Sequence, residues 1–370
     1  MVTGSAAVEH LSAKGVSIHF EPLGGIVADM TVSDAGRDIA LLHRAPWVGG
    51  TAGLPIGAPP HQARLAGDFF CAPFGDATAD AAPLHGWPAN GDWHRIGTER
   101  GRGNASGRWM LGRAVHGACV IKELSLNDGH PFLYQRHIFI GGSGVIPVAN
   151  HAMVSLPGGG HLRFSPKRFF ETPAQARASD PAMGRSRLVY PARATDPTAF
   201  PAADGATVDL TRYPFGPAHE DFVAGIEQPG RHLGWTAVTR IGQGDLFLSL
   251  RNPQVTPMTM LWHSNGGRDY APWSSRHTGC LGVEEGAALA MLATASAEVP
   301  DPFTAAGQAP GLALSPDEIS EVRHVIGMIA WPSGEPVRDV VIADDHLVVT
   351  GEGGACRRVP IRGRFLRLKG

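Results

Sequence analysis

Three short stretches of the chain carry side chains able to move protons or to hold a polar ligand. In the first, His85-Gly86-Trp87 with Trp93 close behind sets an imidazole beside aromatic rings. A histidine there can make one hydrogen bond at a cleft edge. Trp87 and Trp93 can supply an apolar floor of the kind that stacks on the C–H face of a sugar. In the second, Val148-Ala149-Asn150-His151-Ala152-Met153 reads as a strand. His151 then shares a face with Ala149 and Met153, opposite Val148, Ala152 and Val154. If the valine face is core, His151 stands among small residues that leave room for a ligand, where an imidazole serves as general acid or base. In the third, Cys280-Leu281-Gly282-Val283-Glu284-Glu285-Gly286, alternation puts Leu281 and Val283 on one side and Gly282 and Glu284 on the other. Glu285 then belongs with Val283 or in a turn, so only one of the two acids enters a cleft. Gly282 would let a substrate approach the backbone, and a partly buried Glu284 can act as a base near neutral pH.

Each stretch also has a purely structural reading: a turn with packed tryptophans, a satisfied sheet histidine, an acid pair at a strand end. Their conjunction is what points to chemistry. An acid, a base and a stacking platform together suit proton transfer on a sugar.

The elements that must position these residues read as strands. Val16, Ile18 and Phe20 alternate with polar residues, and Gly24-Gly25 turns the chain into Ile26–Val32. Cys119–Leu126 and Phe132–Ile140 are joined across Asn127-Asp128-Gly129, a hairpin signal. Val145–Leu156, His161–Phe164, a hairpin of Gly234–Ile241 with Asp245–Leu250, Pro257–Trp262, Cys280–Glu284 and Ala288–Ala293 follow. Val322–Ala330, Val337–Ile342, His346–Val349 and Arg357–Ile361 close the chain. Ser315-Pro316-Asp317-Glu318 resembles a helix start, but the β-branched residues after it allow one turn at most. Ala45–Arg64 and Ala174–Pro217 lack a pattern and read as loops. The expected architecture is all-β: one large antiparallel supersandwich with very little helix, residues 1–370 forming a single domain and 331–370 a C-terminal strand extension.

Composition narrows the function. Of 370 residues, 48 are glycine and 30 proline, which fits many short strands joined by tight turns. A formal charge of −2 with no basic stripe disfavours nucleic acid and anionic membrane as partners. Cys71, Cys119, Cys280 and Cys356 form no CxxC pair, so neither a zinc knuckle nor a dithiol motif is written, and free thiols in a cytoplasmic protein are expected. Met1–Gly15 lacks the pattern of an export signal. The stretch from Ile138 to Arg163 is uncharged between its ends but is broken by prolines and glycines, which rules it out as a membrane helix.

The motifs Pro73-Phe74-Gly75, Leu84-His85-Gly86-Trp87 with Trp93, Asn150-His151 through Leu156, and Cys280-Leu281-Gly282-Val283-Glu284 occur in the order and at spacings that resemble the aldose 1-epimerase (galactose mutarotase-like) superfamily. The resemblance covers roughly residues 15–330. It implies that Glu284 is the catalytic base, His151 the catalytic acid, and His85 a hydrogen-bond partner near the ring oxygen. Arg64 matches a family arginine that binds hydroxyls, and Trp87, Trp273 and Asp221 complete the expected substrate-binding set. Glu284 would take the anomeric proton while His151 protonates the ring oxygen, the ring would open, and closure after rotation would give the other anomer, without metal or organic cofactor. Two departures argue against a phosphosugar: Ala72 precedes Pro73, and Trp87-Pro88-Ala89 follows His85-Gly86, where arginines stand in phosphosugar epimerases of the superfamily. The aromatic residue that usually follows Asn-His is also missing. The expected partner is a small-molecule carbohydrate, with the protein a monomer or homodimer.

Three rival readings stand beside this one. A non-catalytic carbohydrate-binding module predicts that Glu284 and His151 do not meet. A metal-dependent β-barrel enzyme would need histidines such as His61, His85 and His94 to gather, since HExxH is absent. A glycoside hydrolase or lyase would need Asp68, Asp92, Asp221 or Asp269 to face Glu284.

Overall fold

The computed structural model describes residues 8–50, 54–75, 81–176, 185–289, 292 and 310–367. Among these there is no α-helix, only short 3-10 turns. Two large sheets dominate. The first has eleven strands, ordered Glu9–Ala13, Val16–Glu21, Ile26–Asp34, Asp68–Cys71, Val148–Ser155, Cys280–Ala287, Met258–Asn265, His219–Glu227, Lys167–Glu171 and Arg193–Ala194, with Arg37–Ile39 paired to Ile26–Asp34. The second has nine, ordered Arg212–Tyr213, Gly160–Phe164, Gly234–Arg240, Asp245–Arg251, Ile319–Ala330, Phe132–Ile140, Cys119–Asn127, Asn104–Leu111 and Trp93–Gly101. The ladders through the middle of both are antiparallel. The all-β sandwich is therefore present as expected.

Alternation explains the layering. Val148, Ala152 and Val154 join Leu261, Leu281, Val283 and Val223 in the core between the sheets, where they meet Val238, Phe247, Ile326 and Leu124 of the second sheet. The other face of the first sheet carries a separate apolar cluster that includes Ala149, Met153, Met260, Trp262 and Cys280. A third layer lies outside the second sheet. Val337–Ala343, His346–Gly351 and Cys356–Pro360 form their own three-stranded sheet. Val340, Leu347, Val349 and Val359 of that sheet bury against Tyr134, Trp235, Leu248 and Val325. The segment expected as a strand extension thus covers the second sheet rather than lengthening either one.

Several strands escape sequence periodicity for physical reasons. His219–Glu227 is buried along its whole length. Its acids face both sides, so hydrophobicity does not alternate. Trp93–Gly101 and Asn104–Leu111 form an edge hairpin whose first strand is mostly charged or exposed. Short pairs within the patternless region, Phe200–Pro201 with Thr207–Val208, give it some order. Ser315–Glu318 makes a turn and no helix. Of the strand expected at Ala288–Ala293, Ala288, Leu289 and Leu292 are described and stand in no strand, and the other three residues lie outside the described residues. No helix of the described residues is long and apolar enough to cross a membrane.

A line of polar side chains runs through the core between the sheets. Gln135 Nε2 donates to Asp68 and lies 3.4 Å from His324 Nδ1, and His324 Nε2 meets Ser249 Oγ at 2.8 Å. Thr236, Ser249 and Thr259 hydroxyls all donate to the Glu285 carboxylate, which pairs with Arg251 Nη1 at 2.6 Å. Arg251 also reaches Glu227 at 3.2 Å, and Lys167 pairs with the same carboxylate. Burial works to raise the Glu227 carboxyl, but Lys167 and Arg251 outweigh it and hold it below the ordinary value. Charges this deep are tolerated because each is paired and hydrogen-bonded.

Two predictions follow from this line. Glu285→Ala leaves the buried Arg251 guanidinium short of a partner and is expected to cost about 3–5 kcal/mol, read as a shift in denaturant midpoint at unchanged slope. A loss below about 1 kcal/mol would show that the pair is dispensable. The second concerns acid. Burial lowers His324 to about 3 and holds His137 and His263 well below the ordinary imidazole value. Below about pH 6.5 the unfolded chain binds protons at these rings that the folded chain refuses, so stability falls as pH falls. His324→Gln removes one such uptake. Between pH 7 and pH 5 the variant should lose about 2 kcal/mol less stability than the parent; equal losses would place the acid sensitivity elsewhere.

Candidate active site

Val148–Ser155 and Cys280–Ala287 are adjacent strands at the centre of the first sheet, and their register sets His151 directly opposite Glu284. Both side chains point to the face turned away from the second sheet, as alternation predicts. His151 Nε2 lies 3.0 Å from Glu284 Oε1, with side-chain exposures of 5% and 3%. Each keeps one buried polar atom, His151 Nδ1 and Glu284 Oε2, with no hydrogen-bond partner among the described residues. The expected acid and base are therefore brought together, side by side on one sheet face.

Around them is a cleft of about 60 Å3 within its walls, or about 480 Å3 with its open mouth counted. Phe69, on the neighbouring strand Asp68–Cys71, stacks on the His151 ring at 4.5 Å between centroids and 18°. Trp262 stands edge-on to it at 5.8 Å, and His85 at 5.7 Å. His151 is thus held on three sides by rings, which fixes its plane. Phe222, Trp273 and Arg268 complete the wall beyond Trp262, and His61, Gln62 and Leu65 close the opposite side.

His85 sits where the sequence places it, at the cleft edge. Its backbone φ of 69° lies in the left-handed region that a branched or bulky residue rarely adopts. Such backbone strain persists only where the surroundings impose it, and it clusters at functional sites. The next residue explains how it is imposed. Ala72 and Gly86 form a bridge so close that a Cβ on Gly86 would lie 2.0 Å from the Ala72 carbonyl oxygen, and Gly86 itself has φ 73°. His85 Nδ1 accepts a long hydrogen bond, 3.4 Å, from the Gly75 amide.

Gly282 has a different use from the one expected. A Cβ there would meet Trp262 Cβ at 2.9 Å and Glu284 Oε1 at 3.0 Å. The missing side chain seats the tryptophan and the carboxylate, and leaves no passage for substrate to the backbone.

Other expected site residues are placed elsewhere. Asp221 faces the sandwich interior, on the opposite side of its strand from Phe222. Its carboxylate accepts from the Arg187 and Leu188 amides and from Tyr190 Oη, and contacts His219 Nδ1 at 2.9 Å. It fastens residues 187–190 to the sheet and touches no cleft. Arg64 pairs with Glu21 at 3.1 Å and stands outside the lining, although its neighbours His61, Gln62 and Leu65 belong to it. Trp87 is half-buried under the Arg113 guanidinium at 4.3 Å, and Trp93 is buried in the inter-sheet core with its indole N–H on the Pro88 carbonyl. The aromatic platform is instead Trp262 with Trp273, of which only Trp273 was expected. His61 and His85 gather at 5.0 Å, but His94 is exposed on the edge hairpin, so that metal trio does not form. None of Asp68, Asp92, Asp221 and Asp269 lines the cleft, and Glu284 is the single carboxylate among its described lining residues.

Arg268, Trp262 and Glu220 are the residues that sequence reasoning missed. Arg268 Nη2 lies 3.1 Å from Glu220 Oε1, and its guanidinium covers the Trp273 ring at 4.3 Å. Trp262 Nε1 and Ser264 Oγ also donate to Glu220. Burial raises the Glu220 carboxyl above the ordinary value, against the pull of Arg268, Trp262 and Ser264. A signal for Trp262 was available: it sits in a strand-like run at a position in phase with Met258 and Met260. Arg268 follows Gly266-Gly267 in an irregular segment with no pattern to mark it.

No family model matches the chain, and no curated sequence matches it. Solved structures do. A candidate aldose 1-epimerase from Escherichia coli K12 superposes with a TM-score of 0.56 at 12% identity, over 87% of this chain and 98% of that one. A candidate mutarotase from Salmonella typhimurium gives 0.54 at 11% identity, over 87% and 91%. A galactose mutarotase related enzyme from Lactobacillus acidophilus gives 0.50 at 10% identity, over 89% and 99%. At these identities the likeness is one of architecture, and on that ground the chain has the fold of the aldose 1-epimerase and galactose mutarotase-like structures.

Proposed function

We propose that the chain is a sugar 1-epimerase that interconverts the α and β anomers of an aldose. The observation that carries this reading is the contact of His151 with Glu284 on the cleft floor, each with a second polar atom left free of protein partners. The hydroxyl oxygen and the ring oxygen of a cyclic sugar are bonded to the same carbon. An acid and a base that serve both must therefore stand close together, each within hydrogen-bond reach of its own oxygen. A neighbouring pair on one sheet face can do this.

The reaction runs as follows. The ionised Glu284 carboxylate takes the proton of the anomeric hydroxyl. The protonated His151 imidazole gives one to the ring oxygen. The bond between the anomeric carbon and the ring oxygen breaks, and the open aldehyde forms. Rotation about the bond to the next carbon exposes the other face of the carbonyl. The ring hydroxyl then adds to it, giving its proton back to His151, while Glu284 returns the first proton to the carbonyl oxygen. Protons and charge are restored at the end of each turnover. The walls allow a sugar to enter by its anomeric edge, since the enclosed part of the cleft holds only a few water volumes. The rest of the ring would then lie in the mouth against Trp262 and Trp273, with the Arg268 guanidinium and His61 and His85 within the lining to meet hydroxyls.

A glycoside hydrolase is less well supported, because such enzymes use two carboxylates flanking the bond and the described lining offers one. A binding module without catalysis has no use for an acid–base pair held in contact.

The test is anomer exchange measured by NMR across a panel of aldoses. The parent protein is expected to accelerate exchange of at least one sugar. Glu284→Gln and His151→Asn should each lower that acceleration by about 10²–10⁴-fold, while Asp221→Asn, which is outside the cleft, should leave kcat/KM unchanged wherever the variant folds. No acceleration for any sugar, or variants that match the parent, would defeat the assignment.

A further inference from the structure

We infer a binding site for a borderline d-block dication of the zinc type, formed by His43, His277 and Cys280. The site does not depend on the sugar reading. The two imidazole nitrogens and the Cys280 sulfur that it would use all lie within 4.8 Å of one another. Zinc bonded to two histidines and a thiolate at ordinary lengths would draw them to roughly 3.3–3.6 Å, a closure of about 1 Å that leaves the fourth position to a water. His43 Nε2 and His277 Nε2 are both buried and have no hydrogen-bond partner among the described residues. Two buried ring nitrogens without partners, on histidines grouped with a cysteine, are what a ligand set offers. A hydrogen-bonded core cluster would satisfy them.

The far side of His277 supports the same conclusion. Ser264 Oγ donates to Glu220 Oε2 at 2.9 Å and lies 2.7 Å from His277 Nδ1. With its own proton committed to the carboxylate, the serine oxygen accepts the Nδ1 proton. That leaves the lone pair of His277 on Nε2, where the cation would sit. Metal-binding histidines are held in this way, by a polar group that fixes the ring tautomer through its other nitrogen. Glu220 also places negative charge one residue behind the ligand, which favours a dication. The ring is locked mechanically as well, stacked on Trp262 at 5.4 Å and 17° and edge-on to Trp273 at 5.1 Å.

All three backbones are fixed. Cys280 begins a central strand, its amide held by Tyr213 Oη at 2.7 Å. The His43 amide donates to the Met153 carbonyl and the His43 carbonyl accepts from Gly67, both at 2.8 Å. The His277 carbonyl accepts from Gly266 at 2.8 Å. Cys280 precedes Glu284 by two strand repeats, roughly 13 Å along the sheet, so the cation takes no part in proton transfer at the sugar. It would instead brace the segment that carries Arg268 and Trp273 against the sheet.

The test uses the full chain, freed of metal by a chelator and then offered zinc, or cobalt(II) as its coloured substitute. One equivalent of zinc should survive desalting, and the cobalt form should show the near-ultraviolet charge-transfer band of a thiolate ligand. Cys280→Ser should abolish that band. His43→Gln, in a half-buried segment where folding is safer and checked by circular dichroism, should weaken zinc binding at least tenfold, and Ser264→Ala should weaken it about 10–100-fold. Absence of the thiolate band in the folded parent would overturn the site. So would zinc retention that is unaffected by both ligand variants, the result expected of adventitious binding at surface pairs such as His10 and His19.

Discussion

The ion pair between Glu285 and Arg251 decides which face of the central strand is chemical. Consecutive residues of a strand point to opposite faces, and a slip of one residue would exchange the two acids. Glu285 is fully buried between the sheets, held by Arg251 and by the hydroxyls of Thr236, Ser249 and Thr259. No other register gives that carboxylate its partners. Glu284 is thereby committed to the opposite face, where His151 waits on the adjoining strand. A buried pair of this kind adds little net stability, because desolvation offsets most of the attraction. Its value here is specificity of register.

The same logic extends outward. The antiparallel ladder between Val148–Ser155 and Cys280–Ala287 makes the acid–base contact a property of backbone pairing rather than of a mobile loop. Rings then fix the imidazole plane, and the absence of a side chain at Gly282 gives Trp262 and the Glu284 carboxylate their space. Rigid strands supply the floor, while irregular segments near residues 61–65, 84–85 and 268–277 supply the walls. A floor built on paired strands is held more rigidly than walls built on irregular segments.

Much of this was legible in the sequence. The facing of His151 and of Glu284, and the opposite facing of Glu285, follow from period-two alternation and are what the structure shows. His85 at the cleft edge and the all-β architecture were legible too. What failed shares a cause. Trp87 and Trp93 were assigned to the sugar floor from proximity along the chain, yet Trp93 begins an edge strand whose inward face is core. Asp221 was expected in the substrate-binding set, yet the odd positions of His219–Glu227 face the interior, and that strand could not be recognised because acids lie on both of its faces. Arg268 and Glu220 come together only through tertiary contacts between an irregular segment and a strand.

The most direct measurement is a crystal structure of the full chain soaked with the aldose that gives the strongest response in the proposed anomer-exchange assay. The account predicts the anomeric carbon at the floor, with the anomeric hydroxyl and the ring oxygen each about 2.6–3.2 Å from the Glu284 carboxylate and the His151 imidazole. A sugar bound with its anomeric carbon toward the mouth, or seated on another surface while the pair stays covered, would contradict it.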